Sequence, residues 1–208
     1  QRRQHAAGLT REDVELILSP MAEEGKEAIG SMGDDSPLTV LSDHHRPLSH
    51  FFRQNFAQVT NPPIDPLREE RVMSLRTRFK NLGNILAEDE TQTNVFVLES
   101  PVLTNGMYDR MLDAIGEQVA VIDCTFAQSK TSPGLSLKHA IDRIREEARV
   151  AVSSGRGHIV LTDERQDADN AGIPMILAAG AVHSYLVSHG LRTFCSITVR
   201  SAECFDTH

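Results

Sequence analysis

The chain has little that would draw it to a nucleic acid or a membrane. Of its 208 residues 29 are acidic and 21 basic, a formal net charge of -8. Surfaces for nucleic acids or anionic lipids rely instead on clustered Lys and Arg. No apolar run reaches the about 18 residues of a membrane span. The opening QRRQHAAGLT holds no apolar signal core, so secretion is not expected. Only three cysteines are present, Cys124, Cys195 and Cys204, without a C-x-x-C pair. Cys124 and Cys195 lie in apolar runs, where a buried inert thiol is the commoner outcome than a metal or redox role. A reduced, cytoplasmic setting is the expectation. G-x-G-x-x-G and G-x-x-x-x-G-K-[ST] are both missing. The glycine pair of SSGRGH reads as a helix C-cap before a strand, not as a phosphate loop. There are no internal repeats.

What is present fits an ordinary globular chain. Hydrophobic residues make up 40% and charged ones 24%, and the length suffices to bury a core. LTREDVELIL starts a helix, with Thr10 and Asp13 spaced as a capping box and Val14, Ile17 and Leu18 as its stripe. RPLSHFFRQNFAQV predicts a helix with Leu48, Phe51, Phe52 and Phe56 inward. From residue 94 the pattern turns regular. Strands are expected near 94–99, 119–124, 158–162 and 194–200, and helices near 107–115, 136–153 and 174–189. Met107, Met111, Leu112 and Ile115 should share one buried face of the first, and Leu137, Ile141, Ile144, Ala148 and Val152 one face of the second. Pro174 suits the first turn of the third helix and Gly190 its end. Continuous apolar strands alternating with helices predict an α/β fold with a mostly parallel sheet flanked by helices. Residues 1–93 read as a helical, irregular lead-in and 94–208 as the βαβ core. Both ends look cut from something longer.

In such a sheet ligands gather beyond the carboxyl ends of the strands. The loops there offer Glu99, Asp123, Thr125, Asp163, Glu164, Asp167 and Glu203, though strand-end loops are polar in any protein. Asp43, His44 and His45, with Asp34, Asp35 and His50 nearby, carry metal-ligating types. Their spacing gathers no two histidines on one helical face, so solvated loop residues are expected. His183 and His189 should likewise point different ways. No residue emerges as catalytic, cofactor-binding or metal-ligating.

The stretch QNFAQVTNPPIDPLREE, 54–70, is set apart by Pro62, Pro63 and Pro66. Each fixes φ and lacks an N–H, and each pushes its predecessor toward extended geometry. The residues Gln58, Thr60, Asn61, Pro62, Pro63, Asp65 and Arg68 therefore sit on a stiff bridge. It either preorganises polar groups for a neighbour or packs within its own domain.

SPMAEEGKEAIGSMGDD and FAQVTNPPIDPLRE are long and unusual phrases. With MILAAGAVHSYLVSHGLRTFCSITVRSAECFDTH they closely resemble the central domain of the glutamate synthase large subunit, over essentially the whole chain. The resemblance implies an enzyme making two L-glutamates from L-glutamine and 2-oxoglutarate. It also implies a glutaminase domain with a terminal cysteine, and an FMN barrel beside an iron–sulfur cluster. The central domain would lie between them, related to the FMN barrel but binding no flavin, and would help wall an ammonia passage. Electrons would come from a small NADPH-dependent subunit or from ferredoxin. The chain departs from the whole enzyme: it begins at Gln1, its cysteines are scattered, and the FMN barrel would begin beyond His208. No cofactor is therefore expected in this piece, and no activity of it alone. A free-standing flavodoxin-like ligand-binding domain is the alternative reading.

Overall fold

The computed structural model describes residues 4, 6–24, 48–52, 76–79, 81, 86–93 and 95–204. The proline bridge, with Gln58, Thr60, Asn61, Pro62, Pro63, Asp65 and Arg68, lies outside them. So do Asp34, Asp35, Asp43, His44 and His45, and the side chain of His50.

The N-terminal helical run opens as its sequence demands. The Thr10 hydroxyl accepts from the Asp13 amide at 3.1 Å, and the Asp13 carboxylate accepts from the Thr10 amide at 2.8 Å. Two orphan donors of the first turn are thereby satisfied. The run continues as Arg11–Asp13, a π-helical Val14–Leu18, then Ser19–Glu24. The expected helix after residue 46 is described only as a 3-10 turn, Leu48–Phe51, and Phe51 and Phe52 are exposed rather than turned inward.

The core is a parallel sheet of three strands, β3 (Val119–Asp123), β5 (His158–Thr162) and β7 (Ser196–Arg200), in that spatial order. Val121 pairs with Val160, and Val160 with Thr198. Three helices accompany them: α1 (Asn105–Ile115), α2 (Pro133–Ser153) and α3 (Met175–Ser188). On α2, Ala140, Ile144, Ala148 and Val152 recur every four residues and are buried. They meet Ala120 and Ile122 of β3, Ile159 and Leu161 of β5, and Ala178, Val182 and Leu186 of α3 in one cluster. Burying one such Ile or Leu contributes about 1.5–3 kcal/mol. That single cluster places α2 and α3 on the same face of the sheet. All five residues of β5 are buried, so both faces of the central strand are covered, as its unbroken apolar run requires.

Each strand is added beside the last, with no reversal of order and with both crossover helices on one face. Barrels are wound this way throughout, and so are the strands on one side of the switch point in a doubly wound sheet. Among the described residues no closed barrel forms.

The apolar stretch from residue 94 does not join this sheet. Its strand β2 (Phe96–Leu98) pairs antiparallel with β1 (Thr77–Phe79), Phe79 opposite Phe96. Its central Val97 is 49% exposed, the alternation of a half-solvated ribbon rather than a buried strand. A second antiparallel ribbon joins β4 (Thr125–Ala127) to β6 (Asn170–Gly172) across the carboxyl end of the sheet, where the sequence reads as loop. On α1, Met111 and Ile115 are buried but Met107 is exposed.

Candidate functional site

The carboxyl end of the parallel sheet gathers most of the polar residues that sequence reasoning singled out. β3 delivers Asp123, β5 delivers Asp163 and Glu164, and the turn after β7 delivers Glu203. Thr125 starts β4, and Asp167 sits before β6. Glu99 stands apart at the end of β2, exposed and paired with Arg76 at 3.0 Å.

Nearly every one of these groups is engaged by a neighbour in the same chain. Asp123 Oδ1 accepts from the amide and hydroxyl of Thr125, at 2.9 and 2.8 Å. Ser201 donates its hydroxyl to Asp163 at 2.6 Å and accepts from the Glu203 amide at 3.1 Å. Arg200, three-quarters buried, holds Asp109 of α1 at 2.8 Å and Glu164 at 3.1 Å. Its guanidinium also lies over the Tyr108 ring, 5.3 Å from the centroid. Burial raises the Tyr108 phenol above its ordinary range, against the opposing pull of Arg200. Asp167 accepts from the amides of Asp169 and Asn170 and from the Asn170 side chain. Those donors hold its carboxyl below the usual range.

Sequence reasoning missed two arginine roles. Arg143, on α2, donates from Nη2 to the carbonyls of Asp123 and Thr125, both at 2.9 Å. Arg192 donates to His183 Nδ1 at 3.0 Å and to the Cys195 carbonyl at 2.7 Å. His189 binds its own helix instead, its Nδ1 lying 2.8 Å from the Tyr185 carbonyl.

Two of the described helices start at this end: α2 follows Ser132, which makes no side-chain cap bond, and α3 has the Met175 amide at its tip. Pro174 at the cap supplies no side-chain acceptor. The carboxylate of Glu203 fills the place, accepting from the Met175 amide at 2.8 Å. A helix N-terminus already holding one carboxylate, with Asp163 close by through Ser201, does not fit a flavin phosphate. The cysteines do not fit an iron–sulfur cluster either. Burial pushes the Cys124 thiol up to about 12, and its Sγ donates to the Ile122 carbonyl. Cys195 is also buried with a raised pKa, and Cys204 is exposed. Among the described residues no three His, Cys, Asp or Glu are grouped to hold a metal ion. No helix among them is long and apolar enough to cross a membrane.

A family model described as "Glutamate synthase central domain" matches residues 2–208. The chain belongs to that family. It is 60% identical over its whole length to the large chain of an NADPH glutamate synthase from Azospirillum brasilense, and covers 14% of that relative. It is 40% identical to the chloroplastic ferredoxin-dependent glutamate synthase of Spinacia oleracea, covering 13% of it. An NADH glutamate synthase of Schizosaccharomyces pombe is 41% identical over 98% of the chain. The chain thus spans about one seventh of the length of the first two relatives.

Proposed function

We propose that this glutamate synthase central domain is a non-catalytic scaffold. It links a glutaminase domain to an FMN domain with its iron–sulfur cluster, and helps wall the passage carrying ammonia between them. The parent reaction in this reading converts L-glutamine and 2-oxoglutarate to two L-glutamates. The observation that carries the scaffold role is the carboxyl end of the sheet, where enzymes of related topology keep an open site. Here that end is closed by ties within the chain: Glu203 on the start of α3, Arg200 between Asp109 and Glu164, Ser201 on Asp163.

The pattern of identity supports one reading of the electron source. At 60% to an NADPH large chain against 40% to a ferredoxin-dependent one, the parent is read as NADPH-dependent, with a small NADPH-oxidising subunit as partner. A cytoplasmic setting belongs to the same reading, supported by three free cysteines. So does the division into a lead-in, 1–93, and a core, 94–208.

In this proposal the proline bridge, with Gln58, Thr60, Asn61, Asp65 and Arg68, contributes to the passage or to a domain contact. Replacing Pro62 and Pro63 by glycine restores backbone freedom at about 1 kcal/mol or less per site. That is too little to unfold a domain of ordinary stability, yet misplaced geometry is costly where position carries the function. In the full-length parent, ammonia released per glutamate formed should rise while glutamine hydrolysis persists. An unchanged ratio in a folded variant removes the bridge from the passage.

A further inference from the structure

The outer edge of β3 is built unlike an ordinary sheet edge. Along a strand the N–H and C=O of one residue point to the same side, and successive residues alternate. The Cys124 amide donates to Thr162 of β5 at 2.8 Å. Residues 120 and 122 therefore face β5 as well, and Val119, Val121 and Asp123 face outward. Among the described residues no strand pairs with them. Two of the three outward carbonyls are taken by arginines. Arg156 donates to Val119 at 3.0 Å and Arg143 to Asp123 at 2.9 Å. Between them lies a groove of about 540 Å³ along β3 and α2, lined by Val121, Val150 and Ala151 among others. Val121 is 60% exposed.

We propose that Arg143 and Arg156 guard this edge, so that a second copy of the chain cannot pair its own β3 against it. An exposed β-branched edge otherwise offers a template for strand addition, and charged side chains are a recurring means of blunting one. A guanidinium carries N–H donors and no acceptor. It therefore occupies the carbonyl an incoming amide would need, and stands in that strand's path. With the Val119 and Asp123 carbonyls taken, Val121 keeps the only outward acceptor still open on this strand, too few for a ladder.

The test is Arg143→Met with Arg156→Met in the full chain, preserving the aliphatic stems. Light scattering should show the mass rising toward twice the wild-type value with concentration. Hydrogen exchange at the Val121 amide should slow in parallel, and adding Val121→Lys should reverse both. A folded double variant with wild-type mass and wild-type exchange overturns the proposal. So does a wild-type Val121 amide already protected where the protein is monomeric, since the edge is then covered by something else. If the double variant does not fold, Arg156→Met alone decides. That arginine is exposed and makes one bond to the edge, so the same association should appear at higher concentration, and its absence counts against the guard.

Discussion

The carboxylate of Glu203 accepts its hydrogen bond from the main-chain amide of Met175, 28 residues earlier, at 2.8 Å. A helix that begins after a proline has no side-chain cap of its own, and its first amides would be left without acceptors. The turn after β7 supplies one from a distance. This ties the last strand to the start of the helix before it, and sets a full negative charge against the positive end of the helix dipole.

Replacing Glu203 by Gln keeps an acceptor and removes the charge, and should cost about 1 kcal/mol or less. Glu203→Ala also strands the Met175 amide and should cost about 1–3 kcal/mol. Urea unfolding of the two variants beside wild type measures the difference. Equal losses would mean that the charge carries the whole contribution and a neutral acceptor none, whereas a Glu203→Gln variant as stable as wild type would mean that the charge contributes nothing.

The buried thiols give a dependence on pH. Desolvation holds Cys124 up to about 12, more than the Thr162 backbone hydrogen bond and Arg143 can offset. In the unfolded chain the same thiol titrates near 8.5. Its contribution to stability is complete below that value. It declines as pH rises toward 12, by at most about 1.4 kcal/mol per pH unit, because only the unfolded chain releases the proton. Urea unfolding between pH 8 and pH 10 should therefore show a steeper loss for wild type than for Cys124→Ala. In the native protein at neutral pH a thiol reagent should label Cys204 and spare Cys124 and Cys195. Rapid labelling of Cys124 would contradict its burial.

Elements specified by neighbouring residues were legible in the sequence. The Thr10–Asp13 box, the four-residue stripe of α2 and the glycine ends of α2 and α3 depend on contacts within a turn or two. The three parallel strands were legible because each is a bounded apolar run alternating with a helix. The first apolar run was misplaced for a related reason: such a run signals a strand but not which sheet takes it, and β2 pairs with β1. Ribbon β4–β6 was invisible because its three-residue strands, Thr125–Ala127 and Asn170–Gly172, carry no usable periodicity. At the carboxyl end the residue types were readable but not their partners. Arg143 reaches Asp123 across 20 residues and Arg200 reaches Asp109 across 91. Such pairings are set by the folded sheet, not by local spacing.

Two glycines of the third βα unit should respond oppositely to one substitution. Gly190 ends α3 at φ +66°, and its amide donates to Val187 at 3.0 Å while the Leu191 amide donates to Leu186 at 2.8 Å. These bonds close the helix in a left-handed turn that glycine adopts without penalty. Alanine there meets no neighbour but is strained by its backbone, and Gly190→Ala should cost about 1 kcal/mol. Gly180 lies inside the same helix, with nothing within 4 Å of an added Cβ and no positive φ. There alanine only restricts the unfolded chain and improves helix propensity, so Gly180→Ala should stabilise by about 0.5–1 kcal/mol. Thermal unfolding of both variants beside wild type checks the signs. A destabilising Gly180→Ala would contradict the open space about Gly180.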